Sequence, residues 1–141
     1  MQDRYLFKAK RKDNGEWVEG FYFCMTHTDG RHTHHFIIPL GADLSLGTPV
    51  EKIQVEVDQS TICQCTGLKD KNGRVIWEND IVMTVYDGNE HIYQVVWDES
   101  ELDFKATNGK ENYKSNFEYL PCCDEIEILG NCFDNPELLE E

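Results

Sequence analysis

Positive charge is scarce in this sequence. Lys and Arg number 13 against 27 Asp and Glu, a formal net charge of −14. The shortage is uneven: residues 1–50 hold six basic and six acidic residues, whereas residues 51–141 hold seven and 21. Such a surface repels phosphate backbones, so direct nucleic-acid binding is not expected. It would attract basic proteins, or simply keep the chain in solution. Long apolar runs are lacking too. The start, Met1-Gln2-Asp3-Arg4, leads into a mixed stretch without the apolar core of a signal peptide. No run approaches the roughly 18 apolar residues of a membrane span, so no membrane partner is expected and the expected compartment is the cytoplasm. There the six cysteines, Cys24, Cys63, Cys65, Cys122, Cys123 and Cys132, are expected to stay reduced.

Signatures of known chemistry are also missing. There is no P-loop, no G-x-S-x-G, no H-E-x-x-H and no EF-hand loop. Carboxylates are abundant, so Asp98-Glu99-Ser100-Glu101 and Asp124-Glu125 read as solvated turns rather than acid–base pairs. Neither a catalytic residue nor a cofactor is expected. The densest set of metal-ligand types is Cys24, His27, His32, His34 and His35. On a strand His32 and His34 share a side, and the Asp29-Gly30 turn would fold His27 towards them. The spacing C-x2-H-x4-H-x-H matches no standard zinc site. The expectation is therefore no metal, with Cys24, His27, His32 and His34 as the only candidate ligands. Cys63-x-Cys65 and Cys122-Cys123 lack chelating or redox spacing and read as small apolar residues.

What is present is turn chemistry. Asn14-Gly15, Asp29-Gly30, Asn72-Gly73, Asp87-Gly88 and Asn108-Gly109 are dipeptides that favour hairpin turns. Short runs rich in β-branched and aromatic residues lie between them: 16–24, 74–77, 80–86, 91–97, 101–107 and 125–129. Val50–Val57 alternates, with Ile53, Val55 and Val57 on one face. The pattern predicts an all-β protein, a meander, small barrel or sandwich. Helix is expected only over Asn112–Leu120 and in a C-terminal turn opened by Pro136. Residues 39–49, bracketed by Pro39 and Pro49, read as the longest loop. They divide an N-terminal β region, 1–50, from a barrel-containing region, 51–141, within what is expected to be one domain or two small lobes.

Residues 65–82 read C-T-G-L-K-D-K-N-G-R-V-I-W-E-N-D-I-V. This stretch resembles the YopX-like protein family of phages and prophages. Thr66, Gly67, Leu68, Asp70, Asn72, Gly73, Ile76, Glu78, Asp80, Ile81 and Val82 match the family pattern, and Asn79 stands where the family has Gly. Two further segments fit. The opening segments 5–10 and 14–21 look like the family's first hairpin. Ile128-Leu129-Gly130-Asn131 through Asn135-Pro136-Glu137-Leu138-Leu139 looks like its closing signature. The regions around 24–45 and 98–120 match poorly. The resemblance implies an SH3-like, partly open barrel, a phage or prophage source and self-association, and it implies no activity. Gly67, Leu68, Asp70, Asn72, Gly73, Glu78, Asp80, Gly130, Asn131 and Pro136 are then expected to serve backbone geometry, with a partner-binding rim of Asp70, Lys71 and Arg74 as the alternative.

The expected function is that of an accessory protein working through protein contacts. Its partner is itself as a homo-oligomer, or a host or phage protein. The surplus of aromatics (Trp17, Phe21, Tyr22, Phe23, Trp77, Tyr86, Tyr93, Trp97) supports that reading. The alternatives are an acidic DNA mimic or anti-defence protein, and a small metal-dependent enzyme built on Cys24, His32 and His34.

Overall fold

The computed structural model describes residues 5–42, 45, 47–107 and 117–139. The chain is mostly β and divides into two compact units, Met1–Gln64 and Cys65–Glu141. The division therefore falls at 64/65 and not at 50/51. The reason lies in pairing. Val55–Glu56 and Val57 pair back onto earlier strands, and the Thr61 hydroxyl accepts the Lys10 amide, so this stretch belongs to the first unit.

In the first unit, β1 (Phe7–Lys10), β2 (Trp17–Thr26), β3 (Thr33–Pro39) and β4 (Val55–Glu56) lie antiparallel in the order β4-β3-β2-β1. Gly15 and Gly30 take positive φ in the turns at which β1–β2 and β2–β3 reverse. One sheet face packs Ala9, Ile37 and Val57 against Phe7, Val18, Tyr22, Val55 and Ile62. Val50–Val57 departs from the strand predicted for it. A 3₁₀ turn occupies Val50–Lys52, and the Ile53 and Gln54 amides donate to the Val50 carbonyl. Pro49 sits extended just ahead of that turn. Only two residues are left to pair with β3.

Strand β5 (Cys63–Lys69) begins by pairing with β1 through Cys63 and Gln64. Within the second unit its Cys65 and Lys69 pair with β6 (Val75–Trp77) across an irregularity at which Gly67 has φ 81°. Five further strands follow: β7 (Asp80–Tyr86), β8 (Asn89–Asp98), β9 (Asp103–Thr107), β10 (Phe117–Tyr119) and β11 (Glu125–Asn131). They form an antiparallel sheet in the order β10-β9-β8-β7-β11. Both central residues of the β7–β8 turn, Asp87 and Gly88, have positive φ, as a two-residue hairpin of this kind requires. The core gathers Ile76, Val82, Tyr93, Val95, Phe104, Ala106 and Leu120.

The pairings of the described residues leave β10 and β11 at opposite edges, so the closure of an SH3-like barrel is not among them. The helix predicted for 112–120 lies partly outside the described residues. Its described part is strand β10 and a 3₁₀ turn at Leu120–Cys122. The Asn108-Gly109 turn also lies outside them. Pro136 opens a 3₁₀ turn, Pro136–Leu139, as its fixed φ favours. Among the described residues no helix is long and apolar enough to cross a membrane.

Candidate functional site

The residues of the strongest sequence signature are occupied in holding turns. Asp70 is buried, and its Oδ1 accepts the Asn72 and Arg74 amides at 3.0 and 2.9 Å. Its Oδ2 accepts the Ile128 amide of β11 at 3.1 Å. The carboxylate thus ties the β5–β6 turn to a strand distant in sequence. Burial alone would raise the Asp70 carboxyl. The Ile128, Arg74 and Asn72 amides, with the Arg74 guanidinium, outweigh it and hold the pKa below the ordinary value. Arg74 Nη2 donates to the Ile128 carbonyl at 2.7 Å, and Lys71 reaches towards Glu125 and Glu127 at 3.5 and 3.4 Å. Of the three rim residues, Asp70 is thus sealed in, and the two cations face β11.

The rest of the signature behaves alike. The Thr66 hydroxyl donates to the Ile76 carbonyl and accepts the Leu68 amide. Asn79, at φ 73°, takes the left-handed turn position where the family carries glycine, and Asp80 Oδ2 accepts the Trp77 amide at 2.8 Å. Glu78 is half-buried in that turn. Near the C-terminus, Asn131 Oδ1 accepts the Phe133 and Asp134 amides, while Asn135 Oδ1 accepts the Asn131 amide. Gly130 leaves room for that arrangement, since a Cβ there would lie 2.4 Å from Asn135 Oδ1.

Two clusters of charged and polar groups lie in the second unit. The first corrects the reading of Asp98-Glu99-Ser100-Glu101 as a solvated turn, since Asp98 is buried against Lys105, a partner seven residues on that no local pattern announces. Lys105 is buried, with Nζ 2.7 Å from Asp98 Oδ2, in contact with Glu101 Oε1 and 5.2 Å from the centre of the Tyr119 ring. Hydrogen bonds to Asp98 and Glu101 raise the lysine pKa, and the bonds from Lys105 and Ser100 lower that of Asp98. Lys105 is thus held between two carboxylates, Asp98 buried and Glu101 exposed. The other brings together Thr84, His91, Glu118 and Cys123. The Thr84 hydroxyl donates to Glu118 Oε1 at 2.6 Å, and His91 Nδ1 stands 3.3 Å from Glu118 Oε2. Burial, then the nearby Glu118 carboxylate, pushes the Cys123 thiol up to about 12. It is protonated at neutral pH, whereas a cysteine nucleophile acts as thiolate.

The predicted ligand set is split by strand alternation. Cys24 pairs with His35 in the β2–β3 ladder and, though exposed, lies on the sheet face of Tyr22, whose hydroxyl meets His35 Nδ1 at 2.6 Å. Met25 pairs with His34 on the opposite side. There His34 Nε2 stands 3.1 Å from His27 Nε2, and the His27 and His32 rings meet edge-on at 5.9 Å. The sequence expectation placed Cys24 with these histidines; a residue one position along a strand points the other way.

That opposite side of the first sheet carries a row of aromatic residues, interrupted by Glu19 opposite Lys8. Trp17, Phe21, Phe23 and Met25 alternate along β2, with Phe36 and Ile38 beside them on β3. Phe21 is 43% exposed and stacks on Tyr5, itself 46% exposed. Phe23 stacks on Phe36 with ring centres 5.2 Å apart, and Lys8 and Lys10 lie over the Trp17 ring.

Fold and surface thus define a mostly β protein of two antiparallel sheets whose signature residues shape turns. Its sequence matches the family described as YopX protein over residues 6–140, and the chain belongs to that family. No curated protein matches it. Its structure is similar to the crystal structure of protein EF1440 from Enterococcus faecalis. The two share 22% identity over 95% of this chain and 96% of that one, with a TM-score of 0.50. At that identity the likeness shows the fold alone.

Proposed function

We propose that this chain is a non-enzymatic phage or prophage accessory protein of the bacterial cytoplasm that works through protein contacts, and that a second copy docks on the aromatic face of its first sheet. The observation that carries the proposal is that face: Tyr5 and Phe21 stacked in the open and Met25 exposed beside them, with half-buried Phe23 stacked on buried Phe36 as their floor. Interfaces are enriched in aromatic residues and Met, because large rigid rings bury much apolar area.

Charge favours a second copy as the occupant. Residues 1–64 hold seven basic and nine acidic residues, a net of −2, while residues 65–141 hold six and 18, a net of −12. Two copies meet at least electrostatic cost through the nearly neutral unit. Family membership supports the phage or prophage source.

The test is light scattering on size-exclusion fractions over a micromolar concentration series, at low and high salt. The expected result is a dimer that survives high salt, because screening weakens charge contacts and not apolar ones. Phe21→Glu, at an exposed position, should make the protein monomeric while leaving its circular dichroism unchanged, with the melting temperature lowered only by what dimerisation contributes. A monomer at every concentration would overturn the self-association. The −12 of the second unit favours one other reading, an acidic mimic of nucleic acid. It predicts capture of a basic host protein that is released by salt.

A further inference from the structure

The tip of the β2–β3 hairpin has an arrangement that the docking surface does not require. His34 Nδ1 stands 2.9 Å from Glu56 Oε2, and His32 Nδ1 stands 2.9 Å from Asp29 Oδ2. An ionised carboxylate only accepts, so each Nδ1 carries the hydrogen, which leaves Nε2 as the nitrogen whose lone pair a metal would take. A carboxylate behind a histidine is the usual outer support of a metal-binding imidazole, because it fixes tautomer and ring orientation. His34 Nε2 is turned towards His27 Nε2, 3.1 Å away, with ring centres 5.0 Å apart. Two imidazole nitrogens bound at about 2.0–2.1 Å to one tetrahedral zinc stand about 3.3 Å apart, with ring centres about 5 Å apart. The third ring, His32, is 5.9 Å from His27. A cavity of about 220 Å³, lined by Met25, Thr26, His27, His34 and Phe36, opens beside the pair.

We propose that the hairpin tip binds one divalent transition-metal ion of the zinc class through Nε2 of His27 and His34, with His32 as third ligand and Glu56 and Asp29 as outer carboxylates. Among the described residues no three His, Cys, Asp or Glu side chains already surround one point. The two facing nitrogens, with Glu56 behind His34, form the preorganised part, and the exposed His32 and Asp29 side chains complete the set by turning together about their side-chain bonds. Solvent takes the fourth position of the tetrahedron, as in open zinc sites. Cys24 has no part, since it lies on the other side of the strand.

The test is calorimetric titration of untagged protein with zinc chloride, repeated with cobalt(II), whose visible absorption reports tetrahedral coordination. The expected result is one ion per chain with a micromolar dissociation constant. Substitutions His27→Gln and His34→Gln should each weaken binding about 100-fold, and Glu56→Gln by about 10–100-fold, the usual effect of removing an outer partner. Cys24→Ser and His91→Gln should leave it unchanged. Circular dichroism establishes that each variant is folded; His27 follows the end of β2, so its replacement touches no strand pairing. Failure to bind zinc at millimolar concentration would mean that the His27–His34 contact is only an N–H···N hydrogen bond, and would overturn the proposal. So would binding that persists in the His27→Gln, His34→Gln double variant. Unchanged affinity in His32→Gln would remove His32 from the set.

Discussion

Asp70 shows how much structure one side chain can organise. Three backbone amides from two places in the chain point at one buried carboxylate. Asn in its place keeps one acceptor oxygen and turns an amide group towards backbone N–H donors. Asp70→Asn is therefore expected to cost about 2–4 kcal/mol, the range for leaving buried donors unsatisfied beside a lost charge. Urea denaturation at pH 7 measures it. The sign of the pH dependence follows from the lowered pKa. A carboxyl with depressed folded pKa contributes fully above its unfolded value of about 3.9, and that contribution is lost as pH falls through the folded value. The stability gap between wild type and Asp70→Asn should be constant from neutral pH to about pH 5 and close below about pH 4. A gap independent of pH would mean that the Asp70 charge is not what the amides hold.

At the scale of elements, turns were the most legible part of the sequence, because positive φ restricts residue choice more than any strand does. Asp87-Gly88 and the Gly of Asn72-Gly73 take the predicted left-handed angles. Strand β3 was not legible as a strand. Its Thr33–Pro39 stretch sets Phe36, Ile37 and Ile38 side by side, since both sheet faces there are partly covered, and so it shows no alternation. Val50–Val57 did alternate, yet its start folds into a 3₁₀ turn after Pro49. Of the site, His27 and His34 were legible as neighbours through the Asp29-Gly30 turn, but the carboxylates behind the histidine rings were not all so. Glu56 arrives from a strand 22 residues away from His34. The Gly130 turn shows the same dependence on tertiary placement. Gly130→Ala would push a Cβ to 2.4 Å from Asn135 Oδ1 and should cost about 1–3 kcal/mol, as overpacking does. Asn135→Ala alone should cost about 1 kcal/mol for the lost acceptor of the Asn131 amide. The double variant relieves the clash, so its cost should fall below the sum of the two. Strict additivity in thermal melts would sink the steric account.

At the scale of the whole molecule, charge is apportioned by unit, −2 for residues 1–64 and −12 for residues 65–141. The second unit carries its excess on a short chain, and the ion pairs among its described residues differ in how far salt can reach them. Lys71 with Glu125 and Glu127 is partly exposed, and such pairs are worth about 0–1 kcal/mol each. Lys105 with Asp98 is buried, where salt screens little. With 18 acidic groups against six basic ones, repulsion between exposed carboxylates outweighs the attractions that salt can reach. Raising ionic strength from about 0.01 M to about 0.1 M shortens the screening length from about 30 to about 10 Å. The melting temperature should therefore rise by a few degrees over that range, at fixed pH 7 and fixed protein concentration. Repeating the scan with Phe21→Glu separates the two contributions, because a monomer gains only the relief of repulsion within one chain. A melting temperature that falls with salt would mean that exposed ion pairs dominate, and the acidic surface would then be a source of stability and not a load on the fold.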